Sequence, residues 1–177
     1  PGRRTSGRTC LADRHDDRAA ALLAACAFFC ALALVLGQVA QHVFDMQPCA
    51  WCVLQRLIFL VAGVACASGA WALRSRPGRL SAALVADLAV SAGLAAALYQ
   101  HFVASRTDSC ALTFADRLVM TLSLHELAPS MFLATASCAE ANLPLLGVPF
   151  ALWSAAAFLL LAIGLALALS DLLRRRA

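Results

Sequence analysis

Hydrophobic positions along the chain gather into four long runs, and polar positions collect between them. The runs cover about 19–40, 53–73, 80–100 and 148–170. The first and fourth carry no charge, the second carries Arg56 near its start, and the third carries Asp87. A helix of about 20 residues, rising about 1.5 Å per residue, spans the roughly 30 Å of a bilayer's hydrocarbon core. Lipid offers no partner to an open backbone group, so such runs are expected to be helices. The expected fold is an all-α membrane protein, a four-transmembrane-helix bundle over 19–173. An Arg-rich segment, 1–18, precedes it and a basic tail, 174–177, follows. The first run exceeds the 7–15 residues of a signal-peptide core and lacks a small-residue cleavage site after it, so it is expected to stay as a span.

Composition agrees. Hydrophobic residues make up 62% and charged residues 14%, against roughly 45–50% and 25% in soluble domains. A soluble domain of 177 residues cannot hide that much apolar surface. All 14 basic residues are arginines. They flank apolar runs and do not interleave with aromatics on a polar face, so a nucleic-acid partner is not expected.

The arginines also orient the spans. Arg3, Arg4, Arg8, Arg14 and Arg18 precede the first run, Arg74, Arg76 and Arg79 link the second and third, and Arg174, Arg175 and Arg176 follow the fourth. Four spans put these segments on one side. Only Arg106 and Arg117 lie in loops on the other. The positive-inside rule then predicts that both termini are cytoplasmic.

Two outer loops remain, a short one over 41–52 and a long one over 101–147. Within the long loop, 112–127 is moderately apolar. It is expected to form a short helix on the membrane, with Leu112, Leu118 and Leu122 toward lipid and Pro129 as its end. Gly63/Ala67 and Gly93/Ala97 are small residues four apart, a spacing that lets helix backbones approach closely.

Of the eight cysteines, this topology puts Cys49, Cys52, Cys110 and Cys138 on the outer side. An oxidising compartment there favours disulfides. Cys49 and Cys52 form a Cys-x-x-Cys pair where the second run begins, and the positive end of a helix dipole favours a thiolate. That placement suits a reversible redox pair. Zinc binding by the four thiols, or a purely structural pair of disulfides, are the alternatives. Arg56 lies one turn beyond Cys52 on the same helix face. An arginine inside a span is costly and marks a candidate site. Its expected task is to stabilise the Cys52 thiolate or an anionic reduced cofactor, and its bland alternative is snorkelling to headgroups.

The stretch Pro48-Cys49-Ala50-Trp51-Cys52-Val53-Leu54-Gln55-Arg56 resembles the Pro-Cys-x-x-Cys-x-x-Gln-Arg signature of the disulfide bond formation protein B (DsbB) family. Cys110, Cys138-Ala139-Glu140, and Leu145-Leu146-Gly147-Val148-Pro149 leading to Trp153 are also similar to that family. The resemblance runs from the first span to the last. It implies a protein-dithiol:quinone oxidoreductase of the bacterial inner membrane. Such an enzyme reoxidises a periplasmic thioredoxin-like oxidase (DsbA-like) and passes the electrons to ubiquinone or menaquinone. By position, Cys110 would form the mixed disulfide with the partner and Cys138 would exchange with Cys49. Cys52 would face the quinone, supported by Arg56. The family often has a polar residue or histidine late in the third helix, which makes Gln100 and His101 candidates for the quinone site.

Competing readings are a paralogue serving one dedicated partner, a vitamin K epoxide-type reductase, and a metal-binding membrane module without enzymatic activity. His42 is a lesser cofactor candidate, and His125 reads as a solvated loop residue. Asp87 is expected to be a protonated, hydrogen-bonded packing residue, and Cys26 and Cys30 to be small apolar fillers.

Overall fold

The computed structural model describes residues 6–106, 114–123, 126, 128–142 and 144–174, with side chains from His15 onward. Helix α1 covers Ser6–Val43, α2 Ala50–Ala67, α3 Arg76–Phe102 and α7 Phe150–Leu173. These four contain the candidate membrane spans. A π-helical turn, Ser68–Ala72, extends α2, and a 3₁₀ turn, Ala104–Arg106, follows α3. The long loop holds α4 (Phe114–Thr121), α5 (Pro129–Phe132) and α6 (Cys138–Ala141). Then comes a small hairpin of β1 (Pro144–Leu145) and β2 (Val148–Pro149).

The helices form a ring in the order α1, α2, α3, α7, with α1 and α3 on a diagonal. The interior is built of small side chains. Ala62, Ala83, Ala86, Ala97 and Ala168 are fully buried, and the larger Phe158, Leu161 and Leu165 fill the centre. Large apolar residues point outward instead: Phe28, Val64 and Leu88 are 71%, 62% and 76% exposed. A water-soluble protein would not carry so continuous an exposed apolar surface, whereas a bilayer accepts it. Close approach follows from the small residues. A Cβ on Gly93 would lie 2.4 Å from the Phe158 ring, so only glycine lets α3 sit against it. Phe158 in turn stacks on Phe59 with centroids 4.1 Å apart. Cys26, Cys30 and Cys66 are buried within this core.

At one end of the ring α1, α3 and α7 are clasped together. Buried Asp171 accepts from His15 and faces Arg18, each at 3.3 Å. Arg79 donates to the Asp16 carbonyl at 3.1 Å, and Arg76 donates to the Leu172 carbonyl. The first cysteine pair lies at the opposite end.

Several details depart from expectation. Helix α1 is continuous from Ser6, so the helix begins well before the first apolar run. Helix α4 ends at Thr121, and Ser123 adopts φ +48° just after it. Pro129 opens α5, where its missing N–H is harmless, and does not end α4. Leu118 packs against Ala50, Leu54 and Ala115 while Leu122 stays exposed, so only part of the expected lipid face is free. Leu112 lies outside the described residues. Asp87 is half-buried and has no hydrogen-bond partner among the described residues, in place of the bonded packing role expected for it.

Candidate functional site

Cys49 is the N-cap of α2, and Cys52 takes the third helical position. A Cys-x-x-Cys pair thereby falls on capping-box spacing, where the third residue reaches back to the N-cap backbone N–H. The Cys49 N–H does point at Cys52 Sγ. The two sulfurs are 3.1 Å apart as thiols, Cys49 buried and Cys52 half-buried.

Two buried amides complete this group. Gln100, late in α3, donates from Nε2 to Cys52 Sγ at 3.1 Å and sits 3.5 Å from Cys49 Sγ. Gln55 on α2 donates to the Gln100 Oε1 at 2.6 Å.

The long loop delivers Cys138 to the other side of Cys49. The Thr135 and Ala136 N–H groups donate to the Pro48 carbonyl at 3.0 and 3.3 Å. Thr135 Oγ1 also donates to Gln47 Oε1 at 2.8 Å. Cys138 then opens α6, whose start is fixed by a capping box between Ser137 and Glu140. Its thiol hydrogen-bonds with Cys49, and the Trp51 N–H from the first turn of α2 also reaches it. Hydrogen bonding with Cys138 and Cys52, together with burial, holds Cys49 well above the ordinary thiol range. Cys138 is pulled below its ordinary value chiefly by the hydrogen bond from Cys49. Cys49 thus lies between two other sulfurs, those of Cys52 and Cys138.

Below the pair an apolar cavity of about 380 Å³ opens between α1, α2 and α7. Leu36, Val39, Phe59, Phe150 and Trp153 wall it, and Cys52, Gln55 and Arg56 form its polar floor. Arg56 is 9% exposed. Its guanidinium donates to Gln41 Oε1 at 2.6 Å, the Met131 carbonyl at 2.9 Å and the Gly37 carbonyl at 3.3 Å. These bonds join α1, α2 and α5 around the cavity. The hairpin closes one side. Leu146 and Gly147 at its turn have φ +54° and +81°, as a type I′ turn requires. Trp153 Nε1 donates to the Leu145 carbonyl at 3.1 Å and holds the hairpin down.

The structure thus brings Cys49, Cys52, Cys138 and Arg56 together. Cys110 and His125 lie outside the described residues. His101 is not among the cavity's lining residues; its ring packs edge-on against Phe102, and its Nδ1 is buried without a partner among the described residues. His42 is exposed, while its neighbour Gln41 reaches Arg56. Gly37 and Met131 carry no signal in the sequence, since a backbone carbonyl leaves no trace in side-chain chemistry, and Gln41 is one polar residue among several between the first two apolar runs. Among the described residues no three His, Cys, Asp or Glu side chains are placed to hold a metal ion.

The chain is similar to known proteins over most of its length. The family profile described as Disulfide bond formation protein DsbB matches residues 18–168. Disulfide bond formation protein B of Stutzerimonas stutzeri is 32% identical over 149 residues, covering 82% of this chain and 89% of that protein. The protein of the same name from Chromohalobacter salexigens is 32% identical over 155 residues, covering 83% and 88%. Disulfide bond formation protein B 1 of Pseudomonas savastanoi is 33% identical over 134 residues, covering 75% and 79%. No solved structure matches the chain.

Proposed function

The chain belongs to the disulfide bond formation protein B (DsbB) family, and on that premise we propose that it reoxidises a periplasmic thioredoxin-like dithiol oxidase and delivers the electrons to membrane quinone. It is a multi-pass membrane protein with an oxidoreductase role in disulfide formation. In the proposed setting, the arginine-rich end faces the cytoplasm of a bacterial inner membrane, and the cysteines face the periplasm.

One observation carries the reading: Cys49 lies between Cys138 and Cys52, its sulfur 3.1 Å from that of Cys52, and Cys52 borders the cavity. The electron path follows by thiol–disulfide exchange. The partner's dithiol attacks the Cys110–Cys138 disulfide through Cys110 and leaves as a disulfide, so Cys110 and Cys138 become thiols. The Cys138 thiolate attacks Cys49 Sγ and breaks the Cys49–Cys52 bond, with Cys52 departing as thiolate. Cys110 then attacks Cys138 Sγ and releases Cys49. Two electrons have moved from the partner to the Cys49/Cys52 pair. The lowered Cys138 thiol suits the attacking role, and the donors around Cys52 suit the leaving role.

The cavity fits a quinone. Its apolar walls suit a ring and an isoprenoid tail, and Arg56 and Gln55 offer N–H donors for a carbonyl at the floor. A buried cation there, beside a cysteine, also suits an acceptor that gains negative charge. Quinone when bound supplies the two-electron sink.

The test is quinone loss, followed by absorbance, with purified protein, a reduced thioredoxin-fold partner and a short-tailed ubiquinone. The wild type should turn over and Cys49→Ser should not. Equal rates would refute the proposal.

A further inference from the structure

The donors around the first pair are unequally shared. The Cys49 backbone N–H and the Gln100 side-chain N–H both converge on Cys52 Sγ, which also lies 3.1 Å from the Cys49 sulfur. Gln100 is fully buried and Gln55 is 3% exposed, so each amide must be satisfied by protein. Because Gln55 fills the Gln100 carbonyl, the Gln100 amide can present only N–H to sulfur. An N–H bonds much more strongly to an ionised acceptor than to a neutral one. A disulfide sulfur is neutral and a weak acceptor. The amide therefore favours the reduced pair over the oxidised one, and favours charge on Cys52 over charge on Cys49.

We propose that Gln55 and Gln100 form a two-amide relay that loads the charge of the reduced pair onto Cys52 and raises the reduction potential of Cys49/Cys52. Gln100 is the catalytic residue, since it touches the reacting sulfur. Gln55 is a positioning residue that fixes the orientation of the Gln100 amide. Reduction of the disulfide then takes two electrons and one proton, the proton resting on Cys49 and the negative charge on Cys52. Gln55 also borders the cavity, so an occupant of its floor meets the relay directly. What the raised potential serves rests on the proposed quinone-linked function; the relay itself does not.

The experiment is a redox titration of the full-length protein against glutathione, in a Cys110→Ser, Cys138→Ser background that isolates the pair. Alkylation and mass measurement read the fraction oxidised, and the alkylation rate of Cys52 is read in parallel. Gln100→Met keeps the volume and removes the donor. It should move the equilibrium about tenfold toward the disulfide, about 30 mV for a two-electron couple, and slow Cys52 alkylation. Gln55→Glu is the second variant. An ionised Glu cannot donate, so the Gln100 amide turns its carbonyl to the sulfur and the potential falls again. Gln55→Met should lower it by less. Unchanged potentials in folded Gln100→Met and Gln55→Glu would overturn the relay, and should Gln100→Met not fold, the Gln55 variants decide. Shifted potentials in a protein whose wild type reduces no quinone would keep the relay and remove the quinone reading.

Discussion

The Arg56 guanidinium donates to the Met131 carbonyl at 2.9 Å, tying the floor of the apolar cavity to the loop that carries Cys138. One side chain thus serves both the cavity and the loop that carries Cys138. Arg56→Lys keeps the charge but cannot reach Gln41, Gly37 and Met131 at once. Its KM for quinone should rise by about tenfold, since one lost charge-assisted hydrogen bond is worth roughly 1.5–3 kcal/mol. Arg56→Met should lose more. In both variants Cys138 should become more open to alkylation, because α5 is no longer held. Unaltered KM and unaltered Cys138 labelling would show that Arg56 only snorkels.

Cys138 is held below its ordinary value chiefly by the hydrogen bond from Cys49. Removing that donor should raise it. In Cys49→Ala with Cys110→Ser, the rate of Cys138 alkylation against pH should therefore shift to higher pH. A profile that stays in place, or moves lower, would show that the contact does not act on the thiol.

The capping box between Ser137 and Glu140 sets the start of α6. Ser137→Ala should destabilise this turn by about 1 kcal/mol and raise the labelling rate of Cys138. The Glu140 carboxylate is held below its ordinary value by the Ser137 backbone N–H and hydroxyl. A lowered carboxylate stabilises above its unfolded value and stops doing so as pH falls through its folded value. Wild-type Cys138 docking, read by hydrogen exchange at Ser137 and Glu140, should therefore weaken only on acidification. The Ser137→Ala variant should keep only part of this pH dependence, since it loses the hydroxyl but keeps the backbone N–H.

Gly93 has no room for a Cβ against Phe158. Gly93→Ala should lower the unfolding midpoint in detergent, with overpacking costing about 1–3 kcal/mol. Phe158→Leu in the same chain should recover part of it. Full stability of Gly93→Ala alone would mean that α3 and α7 separate easily.

The four spans were legible because a bilayer demands about 20 apolar residues in each. The Cys-x-x-Cys pair was legible because its spacing lies on one helix. The partners of Arg56 were not. Helical spacing showed that Arg56 shares a face with Cys52, but the rotation of α1 and the path of the long loop decide what the guanidinium meets, and two of its three acceptors are carbonyls. The resemblance to the DsbB family makes Gln100 a candidate, as a polar residue late in the third span. Its bond to Cys52 depends on the register of α3 against α2, which a single sequence does not encode locally. The end of α4 was misread for a similar reason: Pro129 looked like a stop, but the chain had already turned at Ser123.

In the proposed function Cys49 and Cys52 hand two electrons to quinone. A single-turnover experiment isolates this step. The Cys110→Ser, Cys138→Ser protein, reduced and freed of reductant, is mixed without oxygen with one equivalent of a short-tailed ubiquinone. The predicted result is one quinol and one Cys49–Cys52 disulfide per protein, with none of either when Cys52 is also replaced by Ser. Unconsumed quinone with both thiols still free would contradict it.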